Sequence, residues 1–161
     1  MVIPMLLMQI LGQYLGKAVM DNQVQTIKDV EFGLELPSFL PDTSLENVKR
    51  HGKFVGWGTG RFVDHQIARD QGFSGAIIPG VMSQGFLGAM IHRWAPNAII
   101  RSIDTIFRAP VFVDQAYGIN GVVTDIDEER STIEIDITIT NERNETRVFG
   151  TATLYFPDSD P

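Results

Sequence analysis

The chain has 161 residues, of which 43% are hydrophobic, and a formal net charge of −7 at pH 7. This length suits one globular domain over residues 1–161 with a sizeable core. The acidic balance excludes an electrostatic nucleic-acid surface, and we interpret the densest basic cluster, Lys49 to Lys53, as a solvated helix face. The lack of cysteine excludes disulfides and thiolate metal sites and suits a reducing compartment, so we expect a cytoplasmic protein.

The first 20 residues are apolar enough to suggest a signal peptide, but their pattern favours an amphipathic helix over about residues 5–20. No positive charge precedes the apolar run, and Gln9, Gln13 and Lys17 form a polar stripe at i, i+4 spacing. The run is also too short to span a membrane. The apolar face would pack either on the domain or on a second copy of the chain.

Three short elements are predicted before the longest apolar stretch. Val30 to Leu36 alternates weakly and predicts at best a short strand. The capping-box spacing in Thr43-Ser44-Leu45-Glu46 predicts the start of a short helix. Asp64 is placed to cap a second short helix over His65 to Gln71, which Gly72 would close.

The longest apolar stretch predicts a central helix. Pro79 fits the first helical turn, because its missing N–H would have no partner there. The apolar residues that follow cover the full circumference, which is typical of a helix buried against a sheet. These residues are Val81, Met82, Phe86, Leu87, Met90, Ile91 and Trp94.

The part of the chain that follows the central helix is predicted to form β-strands. Ile106 to Gln115 is predicted as a strand with an edge or bulge at Pro110, and Tyr117 to Ile126 as the next. Between Ile133 and Ile139 isoleucine alternates with polar residues, which is typical of an antiparallel strand with one buried face and one solvent-exposed face. Val148 to Phe156 is the last strand. Short polar links predict a hairpin meander, and hence an α+β fold.

Three motifs together resemble the MaoC-like (R)-specific enoyl-CoA hydratases, over roughly Thr43 to Phe156. The family pattern is H-x-D-x-x-x-A-x-x-x-G-F, then a glycine that opens the central helix, then F-x-x-P-V. The resemblance implies a hot-dog fold, usually dimeric, that acts on acyl thioesters in fatty acid or polyketide metabolism, with CoA or phosphopantetheine as part of the substrate and no separate cofactor. The matching residues are Ala68 with Gly72-Phe73, Ile77-Ile78-Pro79-Gly80-Val81-Met82, and Phe107-Arg108-Ala109-Pro110-Val111-Phe112-Val113-Asp114.

A separate physical argument points to the backbone at Gly80 and Val81. The first turn of a helix presents unpaired N–H groups and the positive end of the helix dipole, and a glycine lets a carbonyl oxygen come close. Enolate charge on a thioester oxygen would be stabilised there. The alternative is that Pro79-Gly80 merely starts a buried helix.

The catalytic pair of the family is missing at its expected positions. Counting back from Ala68, Phe62 stands at the histidine position and Trp57 at the aspartate position. Asp64 and His65 are the nearest groups able to transfer a proton, and they are the candidate catalytic residues. Asp64 could instead be only a helix cap. His92, within the central helix, is more readily explained as a core or interface histidine.

Two functions therefore remain open. The first is an acyl-thioester hydratase or dehydratase with a rebuilt site at Asp64 and His65. The second is a non-catalytic subunit that binds an acyl chain or completes a partner's active site. We expect a homodimer and no nucleic acid, membrane or metal partner, since no metal or nucleotide motif is present.

Overall fold

The computed structural model describes residues 23–157, so the predicted N-terminal helix lies outside the described residues. Within them, one turn of 3-10 helix, Ile27–Asp29, precedes three α-helices and four strands. The helices are α1 (Leu45–Val55), α2 (His65–Asp70) and α3 (Gly80–Trp94), and the strands are β1 (Ile99–Phe107), β2 (Tyr117–Asp127), β3 (Thr132–Asn141) and β4 (Thr146–Tyr155).

The four strands form one antiparallel sheet in the order β1-β4-β3-β2, which confirms the predicted meander and the α+β class. In β3 the alternating isoleucines are buried, while Glu134 and Asp136 are exposed on the opposite face. The segment before α1 covers the outer edge of β2, where Leu36 N–H donates to Gly121 O (2.9 Å) and Ile119 N–H to Phe39 O (3.0 Å). Among the described residues, β1 keeps an unpaired edge.

Helix α3 packs one side against this sheet through Leu87, Met90, Ile91 and Trp94, all of which are buried. The prediction that the helix is buried all round is wrong. Val81 is 50% exposed, and Gly85 and His92 are also exposed, because the four strands cover only part of the circumference. A core role for His92 is therefore excluded in the single chain. Pro79 is the N-cap, one position before the first turn.

The strand predicted over Ile106 to Gln115 is also misplaced. β1 ends at Phe107, because Pro110 lacks an N–H for the ladder and Asp114 has a positive φ of 58°. The chain from Val111 to Val113 pairs instead with the segment that leads into α3. Ile78 N–H donates to Val111 O (2.7 Å), and Val113 N–H donates to Ala76 O (3.0 Å).

Helix α1 begins one residue later than the capping-box spacing predicts. Ser44 is the N-cap and accepts from the N–H of Asn47, whereas the Thr43 hydroxyl donates to the carbonyl of Gln115. Asp64 caps α2 as predicted, and Gly72 adopts the left-handed conformation (φ 89°) after it. Over residues 23–157, no helix is both long and apolar enough to cross a membrane.

Candidate functional site

The N-terminus of α3 presents free backbone donors. The N-cap Pro79 has no side-chain hydrogen bond to offer, and its carbonyl accepts from Met82 and Ser83. The N–H groups of Gly80 and Val81 precede these and make no hydrogen bond among the described residues. Together with the positive end of a 15-residue helix, they can bind a carbonyl oxygen and stabilise charge on it.

The ring of Phe107 covers the α-carbon of Gly80. A Cβ at residue 80 would lie 3.0 Å from Cζ and 3.2 Å from Cε1 of Phe107, so a larger residue would have to displace the ring. Phe107 ends β1 and is 49% exposed. The sequence marks Phe107 only as part of a motif, and nothing local predicts that it meets Gly80.

A buried hydroxyl lies in the same helical turn. Ser83 is 1% exposed, and its Oγ has no hydrogen-bond partner among the described residues. An unpaired buried hydroxyl is costly, so this group is available to a ligand that reaches it. Sequence reasoning missed Ser83, although a serine within so apolar a helix is itself a signal.

His65 is paired with Asp114 rather than with its neighbour Asp64. The N–H of Ala76 donates to His65 Nδ1 (3.1 Å), so in the neutral ring the proton is on Nε2, which lies 3.6 Å from Oδ2 of Asp114. The other oxygen of Asp114 accepts from the N–H of Leu45 (3.0 Å). The pair ties α1 and α2 to the segment before α3. Both side chains remain partly exposed.

Asp64 serves the first turn of α2. Its Oδ1 accepts from the N–H groups of Gln66 (2.7 Å) and Ile67 (3.0 Å). These bonds, that from Ile67 first, lower the pKa of the exposed Asp64 carboxyl below its usual value. The predicted cap is therefore confirmed, and a carboxylate of lowered pKa is a weak proton acceptor at neutral pH.

Trp57 and Phe62 lie on the segment between α1 and α2. Trp57 is half-exposed, and its N–H donates to Gly52 O (2.6 Å) at the end of α1. Phe62 packs on the core, and the carbonyl of the preceding Arg61 accepts from Ile77 N–H (3.1 Å), three residues before Gly80. The family histidine position thus lies beside the segment entering α3, but it holds a side chain that cannot transfer a proton.

Neither a protein-family model nor a curated protein sequence matches the chain. Solved structures do: R-hydratase PhaJ1 from Pseudomonas aeruginosa has a TM-score of 0.76 at 16% identity, over 83% of this chain and 86% of that chain. The (R)-hydratase from A. caviae involved in PHA biosynthesis has a TM-score of 0.74 at 17% identity, over 80% of this chain and 98% of that chain. The ChsH1-ChsH2 complex from Mycobacterium tuberculosis has a TM-score of 0.72 at 18% identity, over 80% of this chain and 99% of that chain. The chain therefore has the hot-dog fold of the MaoC-like hydratases and dehydratases, as the sequence resemblance predicts.

Proposed function

We propose that this chain is an acyl-thioester hydratase or dehydratase of the MaoC-like type, acting on a CoA or carrier-protein thioester. One observation carries the proposal: the N–H groups of Gly80 and Val81 are unpaired at the start of a long helix, in a fold used by solved hydratases. The thioester oxygen binds these donors. As the α-carbon exchanges its proton, the negative charge that develops on that oxygen is stabilised by them and by the helix dipole.

The proton transfer is assigned to His65, with Asp114 as its partner. The His65 ring is one-third exposed, and the carboxylate of Asp114 faces its Nε2. Because Nε2 carries the proton of the neutral ring, the ring takes the substrate proton on Nδ1, which must first release the N–H of Ala76. Asp114 then stabilises the imidazolium. Asp64 remains the N-cap of α2, and we assign it no role in proton transfer.

A second function is favoured by specific observations on the same residues. Both nitrogens of His65 already face protein groups, Ala76 N–H and Asp114, while Trp57 and Phe62 stand at the family's catalytic positions. In this alternative the chain binds an acyl thioester without turning it over, as a non-catalytic subunit. Under it, His65 only braces the segment that leads to Gly80.

Two measurements on the purified chain, made without any partner, separate these functions. Hydration of crotonyl-CoA and of a longer enoyl-CoA is followed by the loss of enoyl-thioester absorbance, and binding of the matching saturated acyl-CoA by calorimetry. Turnover supports the hydratase. Binding without turnover supports the non-catalytic subunit, and activity gained by Trp57→Asp with Phe62→His would then show that only the catalytic pair is missing. If neither turnover nor binding occurs, both proposals fail.

A further inference from the structure

The side of α3 that faces away from the sheet is exposed but carries no charge. From Gly80 to His92 the helix contains no aspartate, glutamate, lysine or arginine. Among the described residues, Val81 is 50% exposed, and Gly85 and His92 are also exposed. A helix side that faces water normally carries charged and polar residues. The composition therefore indicates that a further apolar element covers this side of α3.

Uncharged side chains of β1 border the same side of α3. A Cβ at Gly88 would lie 4.0 Å from Cδ1 of Ile103, and the ring of Phe107, which is half-exposed, lies against Gly80. Helix and strand together form one uncharged, mostly apolar strip along the length of the helix, which we call the α3 strip. It consists of Val81, Gly85, Gly88, Ala89, His92 and Phe107.

The chain that precedes the described residues joins them at one end of the α3 strip. Val24 is buried, and its N–H donates to Trp94 O (2.8 Å). The side-chain amide of Gln23 donates to Arg93 O (3.1 Å). These bonds hold residues 23 and 24 at the C-terminal end of α3. Met20 is three positions before Gln23, so it lies within about 11 Å of that end, since an extended residue spans at most roughly 3.6 Å.

The amphipathic helix predicted over about residues 5–20 fits the α3 strip in length and pattern. Its roughly 16 residues would span about 24 Å, and the 15 residues of α3 span about 22 Å. The apolar positions of the two helices have the same spacing, and the large side chains of the first face the mostly small ones of the second. At one constant offset in sequence, Leu7, Leu11, Tyr14, Leu15 and Ala18 pair with Val81, Gly85, Gly88, Ala89 and His92.

We infer that the helix predicted over residues 5–20 lies on the α3 strip of its own chain and runs parallel to α3. Leu7 then lies beside Val81, and Ala18 beside His92. A second copy of the chain is the competing occupant, but the N-terminal segment is tethered at the end of the strip, which gives it a high effective concentration there. The inference does not depend on the proposed function. The N–H groups of Gly80 and Val81 point along the helix axis beyond its start, so a helix alongside α3 leaves them open.

Engineered disulfides test this placement, because the chain has no cysteine of its own. The test pair is Leu15→Cys with Ala89→Cys in the full chain, oxidised under mild conditions and followed by non-reducing electrophoresis and mass. The matched control is Gln13→Cys with Ala89→Cys, since Gln13 lies on the polar stripe of the predicted helix. A disulfide needs Cα atoms within about 7 Å, so we expect the test pair to close within one chain at least about tenfold faster than the control pair.

Leu7→Cys with Ala89→Cys tests the direction of the helix. Residues eight positions apart on a helix are separated by about 12 Å, so in the parallel arrangement Leu7 lies too far from Ala89 to close a disulfide. Faster closure of this pair than of the test pair would overturn the inference, as would equal rates for the test and control pairs or no closure of the test pair. A disulfide formed only between chains, at twice the 17.9 kDa chain mass, would overturn it and assign the α3 strip to a second copy.

Two charge variants measure what the contact contributes to stability. Leu7→Glu with Leu11→Glu places two carboxylates in the apolar contact, so Tm should fall by at least about 4 °C. Gln9→Glu with Gln13→Glu adds the same charge on the polar stripe of the same segment and should change Tm by less than about 1 °C. Equal Tm values for the two double variants would show that the apolar face of the segment is not packed, and would overturn the inference.

Discussion

The ring of Phe107 lies against the α-carbon of Gly80, at the point where α3 begins and β1 ends. Two requirements meet at this contact. The ring needs a residue without a Cβ beneath it, and under the proposed function a carbonyl oxygen must reach the N–H groups beside it without meeting a side chain at residue 80. The relationship therefore explains the glycine at residue 80, and under the proposed function it places Phe107 beside the bound thioester.

Replacement of Gly80 by valine should remove thioester binding without unfolding the protein. The new side chain fills the space before the N–H groups, while the atoms it displaces belong to the end of the Phe107 ring, which can move. We expect acyl-CoA binding to weaken on the order of tenfold or more, the equivalent of about 1.4 kcal/mol. Calorimetry measures the binding, and far-UV circular dichroism checks the fold.

Gly85→Ala is the control for this variant. It adds a methyl group to the same helix at a position with no atom within 4 Å, so binding should persist and stability should rise by up to about 1 kcal/mol. Normal acyl-CoA binding by Gly80→Val would make Gly80 a purely structural residue. A similar loss in Phe107→Ala would instead trace the effect to the displaced ring.

Replacement of His65 separates catalysis from bracing. If His65 transfers a proton, His65→Ala should lower kcat at least about tenfold, since such groups supply roughly 10²–10⁴ in rate. Asp64→Ala should lower Tm by loss of the cap but leave turnover per folded molecule unchanged. Activity assays measure kcat and thermal melts measure Tm for each variant.

Asp114→Asn refines this comparison, because it removes the charge facing His65 and keeps an acceptor for Leu45 N–H. A fall in kcat without a fall in Tm in this variant fits a proton-transfer pair. If the wild type is active and His65→Ala lowers Tm without lowering kcat, the His65 ring has only a structural role.

Local patterns predicted the parts of the fold that depend on neighbours in the chain. The isoleucine alternation of β3 and the cap at Asp64 are of this kind. β1 was missed because it is an edge strand with exposed residues on both faces, which leaves no alternation to read. The contacts of His65 with Asp114 and of Gly80 with Phe107 join residues far apart in sequence, and only the tertiary fold brings them together.

The contribution of the Asp64 cap to stability should be visible in how Tm changes at acidic pH. Because the folded-state pKa of Asp64 lies below the ordinary value of 3.8, its ionised form stabilises the fold above that pH, and this contribution is lost as pH falls through the folded pKa. The Tm difference between wild type and Asp64→Asn should therefore be largest near neutral pH and vanish in strong acid. Melts across this range measure it.

Glu129→Gln is the control for the pH series, since it also removes one exposed carboxylate, in the turn between β2 and β3. Near neutral pH, the Tm of Glu129→Gln should lie closer to the wild-type Tm than the Tm of Asp64→Asn does. A Tm difference for Asp64→Asn that grows as the solution becomes more acidic would contradict the assigned sign.

Gly150 is required by the pairing of β4 with β1. A Cβ there would overlap the backbone carbonyl of Asp104, which cannot move without breaking the ladder. Gly150→Ala should cost about 3 kcal/mol or more, at the upper end for overpacking. In Gly118→Ala on β2, the new methyl would make ordinary contacts with Asn120 and Thr140, so this variant should lose much less stability than Gly150→Ala. Urea unfolding compares the two, and equal midpoints would contradict the close approach.

The free edge of β1 is where we expect a second copy of the chain to pair. Among the described residues this edge has no partner strand, and it exposes large apolar side chains, of which Ile106 is 59% exposed. Unpaired edges of this kind favour association, and a two-fold dimer would extend the sheet and cover the exposed groups of both copies. Light scattering at micromolar concentration should therefore give twice the 17.9 kDa chain mass.

Ile106→Lys tests this edge directly, because a charge within the apolar contact would be buried without a partner. We expect the variant to be a monomer with an unchanged circular dichroism spectrum. Leu40→Lys is the matched control: Leu40 is 78% exposed but lies outside β1, beside the segment that covers β2, so its variant should remain a dimer. A monomeric wild type would refute the homodimer. Equal dissociation of both variants would place the interface elsewhere than the β1 edge.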